Sequence, residues 1–171
     1  MTPTALRNCL LDTDAKEFQP FYLWNHEFYG FLSKSIYAPF VVGGHKDNDH
    51  LLPLKFVVGS YDKDDLKTPG SCIQEDFEYK FQIVEPVQGF IQIKEDTLVI
   101  VQHEEDASLL YLHKSAGQGL RIVHNTPEGP LAIATTYPGH PTIFEIPKPE
   151  NARQLFDLVA TGPSSTKHSL W

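Results

Sequence analysis

Cysteine is scarce in this chain. Its 171 residues hold two, Cys9 and Cys72, too few for a disulfide scaffold. Whether they bridge is open at the level of sequence. Basic clusters are missing as well. Acidic residues outnumber basic ones 22 to 14, for a formal charge of −8. A nucleic-acid binder needs a basic face to displace counterions from phosphates, so neither nucleic acid nor an anionic membrane is an expected partner. Neutral, apolar or cationic partners are. No apolar run approaches the roughly 20 residues that span a bilayer. The N-terminal stretch MTPTALRNCLLDTDAKEF has no basic region leading into an apolar one, so no signal peptide is expected. These absences make a soluble, cytoplasmic protein the expectation.

Catalytic signatures are equally sparse. There is no G-x-S-x-G elbow, no His-x-His pair of the cupin type and no EF-hand spacing, and AGQG is too short for a phosphate loop. The richest polar stretch is GGHKDNDH, residues 43–50, where His45 and His50 bracket Asp47 and Asp49. Two His and a carboxylate suit zinc. The spacing, however, is not that of a helical pair. The next acidic loop, with Asp62, Asp64 and Asp65, would lie roughly 33 Å away across one straight strand. A solvated loop binding no metal is expected; His45, His50 and His103 are the alternative ligands. No cofactor is expected.

Large rings are plentiful: 11 Phe, 7 Tyr and 2 Trp. Phe21, Trp24, Phe28, Phe31 and Leu32 recur at i, i+3, i+7, i+10 and i+11, the spacing of one helical face, and Pro20 suits a first turn. Gly30 costs about 1 kcal/mol inside a helix, and the competing reading is an aromatic strand pair. The spacing favours the helix. A shorter helix is expected over 3–11, and PENARQLFDLVA (149–160) reads as the C-terminal helix, with Leu155, Leu158 and Val159 as its apolar stripe.

Between these lie short apolar segments at 39–43, 51–61, 72–84, 89–94, 97–103, 108–114, 120–124, 131–137 and 142–146, separated by turn signals such as KTPGS, SAGQG and YPGHP. Short strands at such spacing form an antiparallel meander. A two-residue loop at Glu95-Asp96 sets Lys94 against Thr97, Ile93 against Leu98 and Ile91 against Ile100; a five-residue loop at SAGQG sets Leu112 against Ile122. The expected fold is α+β, mainly β: an antiparallel sheet or closed barrel with a helical N-terminal segment and one C-terminal helix. It occupies residues 1–162, and 163–171 form a polar tail. No internal repeat is visible. No family motif is present; a meander followed by a helix resembles pleckstrin-homology-like and calycin-like barrels in fold alone.

The aromatic segment carries the functional expectation. Nine rings in positions 18–40 exceed what one stripe buries, so some should line the mouth of an aromatic barrel or groove, with Trp24, Phe28, Tyr29, Phe31 and Tyr37 as ligand contacts. The reading is a non-enzymatic binding protein for a small apolar or planar ligand or for a protein partner. The alternative is an enzyme with a His-based metal or acid–base site. A homodimer is compatible with either.

Overall fold

The structure is a computed structural model that describes residues 16–36, 38–45, 47, 50–59, 72–115 and 119–161. These residues are almost entirely β, with no helix of seven residues or more. Fifteen short strands fall into three successive units. The first holds β1 (Phe21–Asn25), β2 (Gly30–Phe31), β3 (Ser33–Ser35), β4 (Val41–Val42), β5 (Leu51–Pro53) and β6 (Lys55–Val57). The second holds β7 (Tyr79–Lys80), β8 (Gln82–Glu85), β9 (Gly89–Lys94), β10 (Thr97–Val101) and β11 (Leu109–Lys114). The third holds β12 (Leu120–Thr126), β13 (Gly129–Ala134), β14 (Ile143–Glu145) and β15 (Phe156–Ala160).

The units are related by a pseudo-threefold pattern of pairing. Each opens with a residue set against the unit's last strand: Phe21 with Phe56, Tyr79 with Leu110, Leu120 with Phe156. Two residues on, each unit places an apolar residue against its second strand. The Leu32 and Ile91 amides donate to the Leu23 and Phe81 carbonyls at 2.8 and 3.1 Å; one step beyond the Val123–Ala132 pair, Ile122 meets Ile133. The seams between units repeat too. Leu112 pairs with Ile122 and Leu158 with Leu23, and continuing the Val57–Gln82 register brings Val58 to Phe81. Leu23, Leu32, Phe81, Ile91, Ile122 and Ile133 all belong to the one buried core cluster. Three units of this kind around one core is the plan of a β-trefoil. The ladder does not close into a barrel: it runs β10-β9-β8-β6-β1-β15-β12-β11-β7, and the step from β7 to β8 is made by the chain through Phe81.

The antiparallel pairing and the hairpin registers are as the sequence implies, with Lys94–Thr97, Ile93–Leu98, Ile91–Ile100 and Leu112–Ile122 all observed, whereas the strand order is not that of a simple meander. Neither long helix is present. Residues 21–25 form a strand whose inner face is Phe21, Leu23 and Asn25, so Phe21 and Trp24, one helical stripe on paper, lie on opposite faces. Aromatic and β-branched runs suit a pleated surface, and the strand pair is the arrangement formed. At the other end, the 3-10 turn Ala152–Gln154 leads into β15 rather than a helix. The third unit needs its fourth strand to cover Leu23, and that pairing overrides a moderate helix propensity. The likeness to barrels ending in a helix goes with it. The helix expected over 3–11 and the tail at 163–171 lie outside the described residues.

Phe81 is nearly fully buried in this core, where it packs edge-on against Phe21 and Phe56. Phe81→Ala is expected to cost about 3–5 kcal/mol, read by urea denaturation. A loss below about 1 kcal/mol would contradict a core shared by all three units.

Candidate functional site

β1 ends at Asn25, a buried polar residue that ties three separate segments together. Its Nδ2 donates to the carbonyls of Ala152, Arg153 and Leu155 at 3.4, 3.1 and 3.3 Å. Its Oδ1 accepts the amides of Glu27 and Phe28 at 3.0 and 3.1 Å and the Thr135 hydroxyl at 3.1 Å. Asn is favoured where a side chain must close its own turn. The Tyr29 amide completes that turn by donating to the Asn25 carbonyl at 3.1 Å. Thr135, held at Asn25, begins the next loop. There the His140 amide donates to the Tyr137 carbonyl at 2.9 Å, and the Gly139 amide to the Gly43 carbonyl at 2.8 Å.

Two exposed tyrosines stand on this base. Tyr29 is 64% exposed and Tyr137 69%, although the backbone carrying each is hydrogen-bonded into the fold. Phe28 lies 6.4 Å from the Tyr137 ring, and His140 lies 6.0 Å from it on an edge-on path. The turns at 26–29 and 136–140 therefore present one aromatic surface.

GGHKDNDH supplies support for this surface. A Cβ on Gly30 would come within 2.3 Å of the Gly44 carbonyl group, and one on Gly44 within 2.0 Å of the Phe31 carbonyl oxygen. Only glycine lets these backbones pass. Gly43 and Gly44 are buried rather than part of an exposed loop. His45 is half-buried and its Nδ1 accepts the Asp47 amide at 3.2 Å, whereas His50 and His103 are exposed.

Among the described residues, the one group with metal-ligand proximity is Glu75, Asp76 and His113, their ligand atoms within 4.8 Å of one another. None of the three expected histidines belongs to it. Its members satisfy one another: His113 Nδ1 meets Asp76 at 2.8 Å, and Glu75 accepts the Lys114 amide at 3.0 Å. Burial, then the charges of Asp76 and Glu78, hold the nearby Tyr111 phenol above its ordinary pKa.

The five expected contact residues divide. Phe28 and Tyr29 reach the aromatic surface. Trp24 and Phe31 pack instead on each other, centroids 5.0 Å apart, with Tyr22 against Phe31 at 5.0 Å. Lys55 caps this stack 5.6 Å from the Tyr22 ring and pairs with Glu85 at 3.1 Å. Burial alone would lower the Lys55 pKa; Glu85 and Tyr22 outweigh it and hold the ammonium above its ordinary value. Tyr37 lies outside the described residues. Tyr137 and His140 were not anticipated. Their segment, YPGHP, carries an overt turn signal, and only the tyrosine beside it hints at a surface role.

No protein-family model matches this chain, and no curated protein matches it. Solved structures share its fold. The botulinum neurotoxin type G receptor binding domain superposes with a TM-score of 0.63 at 10% identity, covering 92% of this chain and 47% of that one. This chain thus spans about half that domain's length. The water-soluble chlorophyll protein of Brassica oleracea var. Botrytis, solved with chlorophyll b, superposes with a TM-score of 0.58 at 14% identity, covering 91% of this chain and 100% of that one. Likeness at such identities is a likeness of fold. No helix among the described residues is long and apolar enough to cross a membrane.

Asn25→Leu keeps the branching of the side chain and removes all of its hydrogen bonds. It is expected to cost about 2–4 kcal/mol, because buried carbonyls and amides lose their partners. Chemical denaturation checks this; a change within about 0.5 kcal/mol, the range of an ordinary surface substitution, would show that the hub does not hold the turns.

Proposed function

We propose that this chain is a binding protein whose contact surface is the aromatic face of the turns at 26–29 and 136–140, and that its partner is another protein presenting basic residues. The observation that carries this reading is the pairing of strong exposure at Tyr29 and Tyr137 with a backbone locked beneath them. Tyrosine supplies large contact area at little entropic cost and recurs at the centres of protein interfaces. A formal charge of −8 favours a cationic partner and speeds encounter with it. Tyrosine faces also attract Arg and Lys through cation–π contact. One neighbouring structure is named a receptor binding domain and another is a chlorophyll protein solved with chlorophyll b, which agrees with a binding role on this scaffold. The setting we propose is an oxidising compartment rather than the cytoplasm. Cys72 is disulfide-bonded, and disulfides are rare in the cytosol.

Selection of random peptides displayed on phage against the immobilised full chain tests this reading. Enriched peptides are expected to carry Arg or Lys and to bind more weakly as salt rises. Tyr29→Ala with Tyr137→Ala should weaken the best of them about tenfold or more while leaving stability within about 0.5 kcal/mol. Acidic enriched peptides, or equal binding by the double variant, would overturn the proposal.

A further inference from the structure

A second concave site lies where the second unit's first strand changes partner. Tyr79 and Lys80 pair with β11, whereas Gln82 and Ile83 pair with β6 and β9. At the changeover Phe81 turns into the core, so by alternation Lys80 and Gln82 turn outward. Between the diverging ladders opens a cleft of about 450 Å³, within the range of small-molecule pockets.

The cleft is built rather than incidental. Phe18 adopts φ 63°, a left-handed conformation unusual for a bulky side chain. Its amide donates to the Val58 carbonyl at 2.8 Å, and its ring lies over Gly59, where a Cβ would meet the ring at 2.3 Å. The ring nevertheless remains 41% exposed. Tyr79 backs the same cleft from the buried core and is fixed by its hydroxyl, which donates to Glu17 at 3.1 Å and accepts the Gln74 amide at 3.0 Å. Phe90 and Leu109 complete the apolar lining, Leu109 being 45% exposed.

The charged lining identifies the ligand class. Glu78, Lys80 and Glu104 all border the cleft. Lys80 meets Glu104 at 3.7 Å, so one carboxylate offsets the only ammonium among the described lining residues. Glu78 has no ion pair among the described residues. The described lining therefore carries one net negative charge beside aromatic faces, a setting that attracts a cation both by its charge and by the ring quadrupoles. We infer that this cleft binds a small amphipathic amine, a planar apolar body resting against Phe18, Phe90 and Leu109 with its ammonium at Glu78. This site is separate from the tyrosine turns.

Tryptamine, indole and indole-3-acetate are suitable probes, since they share one ring system and differ in charge. Each would be titrated into the ¹⁵N-labelled full chain while backbone amide shifts are followed. Tryptamine is expected to move the amides of Val57, Val58, Gly59, Glu78, Lys80 and Gln82, indole to move them less, and indole-3-acetate not at all. Glu78→Gln, at an exposed position that does not bear on folding, should weaken tryptamine about tenfold. Gly59→Ala, which forces Phe18 aside, should abolish those shifts while leaving the tyrosine turns unmoved. Tryptamine shifts mapping elsewhere, equal binding of indole-3-acetate, an unaffected Glu78→Gln variant, or no shift at millimolar tryptamine would each overturn the inference.

Discussion

The Asn25 side chain is the interaction on which the functional face depends. It is a neutral amide with donors on one side and acceptors on the other, and both sides are used. The donors hold the carbonyls of Ala152, Arg153 and Leu155, and the acceptor holds two amides of the 26–29 turn and the hydroxyl of Thr135. No aliphatic side chain could satisfy these groups, and leaving them unmet in a buried place costs more than the bonds themselves are worth. One residue at the end of β1 thereby sets the position of the chain on either side of Phe28 and Tyr29, and of the segment leading to Tyr137.

Around this hub, the core solves the problem that the described residues form no long element. Strands of two to seven residues cannot bury much individually. Three similar units pooling Leu23, Phe81 and Ile122 with their partners form one cluster that none could form alone. The repeat is carried by geometry rather than identity. Equivalent positions hold Leu, Phe and Ile, or Phe, Tyr and Leu, so what recurs is apolar bulk at a fixed place in each unit. That degeneracy hid the repeat from the sequence, where only self-similar residues would reveal it.

Other parts were legible for clear reasons. Hairpin registers follow from period-two alternation and from loop length, and the sequence holds both. The helices were misread because periodicity alone cannot separate a short aromatic strand pair from a helical stripe. Phe21, Trp24, Phe28 and Phe31 fit a helix, yet Gly30 marked the true constraint, the close pass of Gly44. For PENARQLFDLVA, local propensity pointed to a helix and the vacancy beside Leu23 in the third unit required a strand. The rings of the aromatic segment are divided between two places. Trp24, Phe31 and Tyr22 are packing, whereas Phe28 and Tyr29 face outward. The other half of that surface, Tyr137 with His140, comes from a segment about a hundred residues away, and the folded pairing of Gly43 with Pro138, together with the Asn25–Thr135 bond, brings it there.

The central claim is that an acidic β-trefoil uses this rigid tyrosine surface to hold a basic partner. Its most direct test is amide shift mapping on the ¹⁵N-labelled full chain with a peptide selected against it. The account predicts that the largest shifts fall on the turns at 26–29 and 136–140, with the inner strands unmoved. Shifts confined to another face of the molecule, the cleft at Phe18 and Glu78 included, would contradict it.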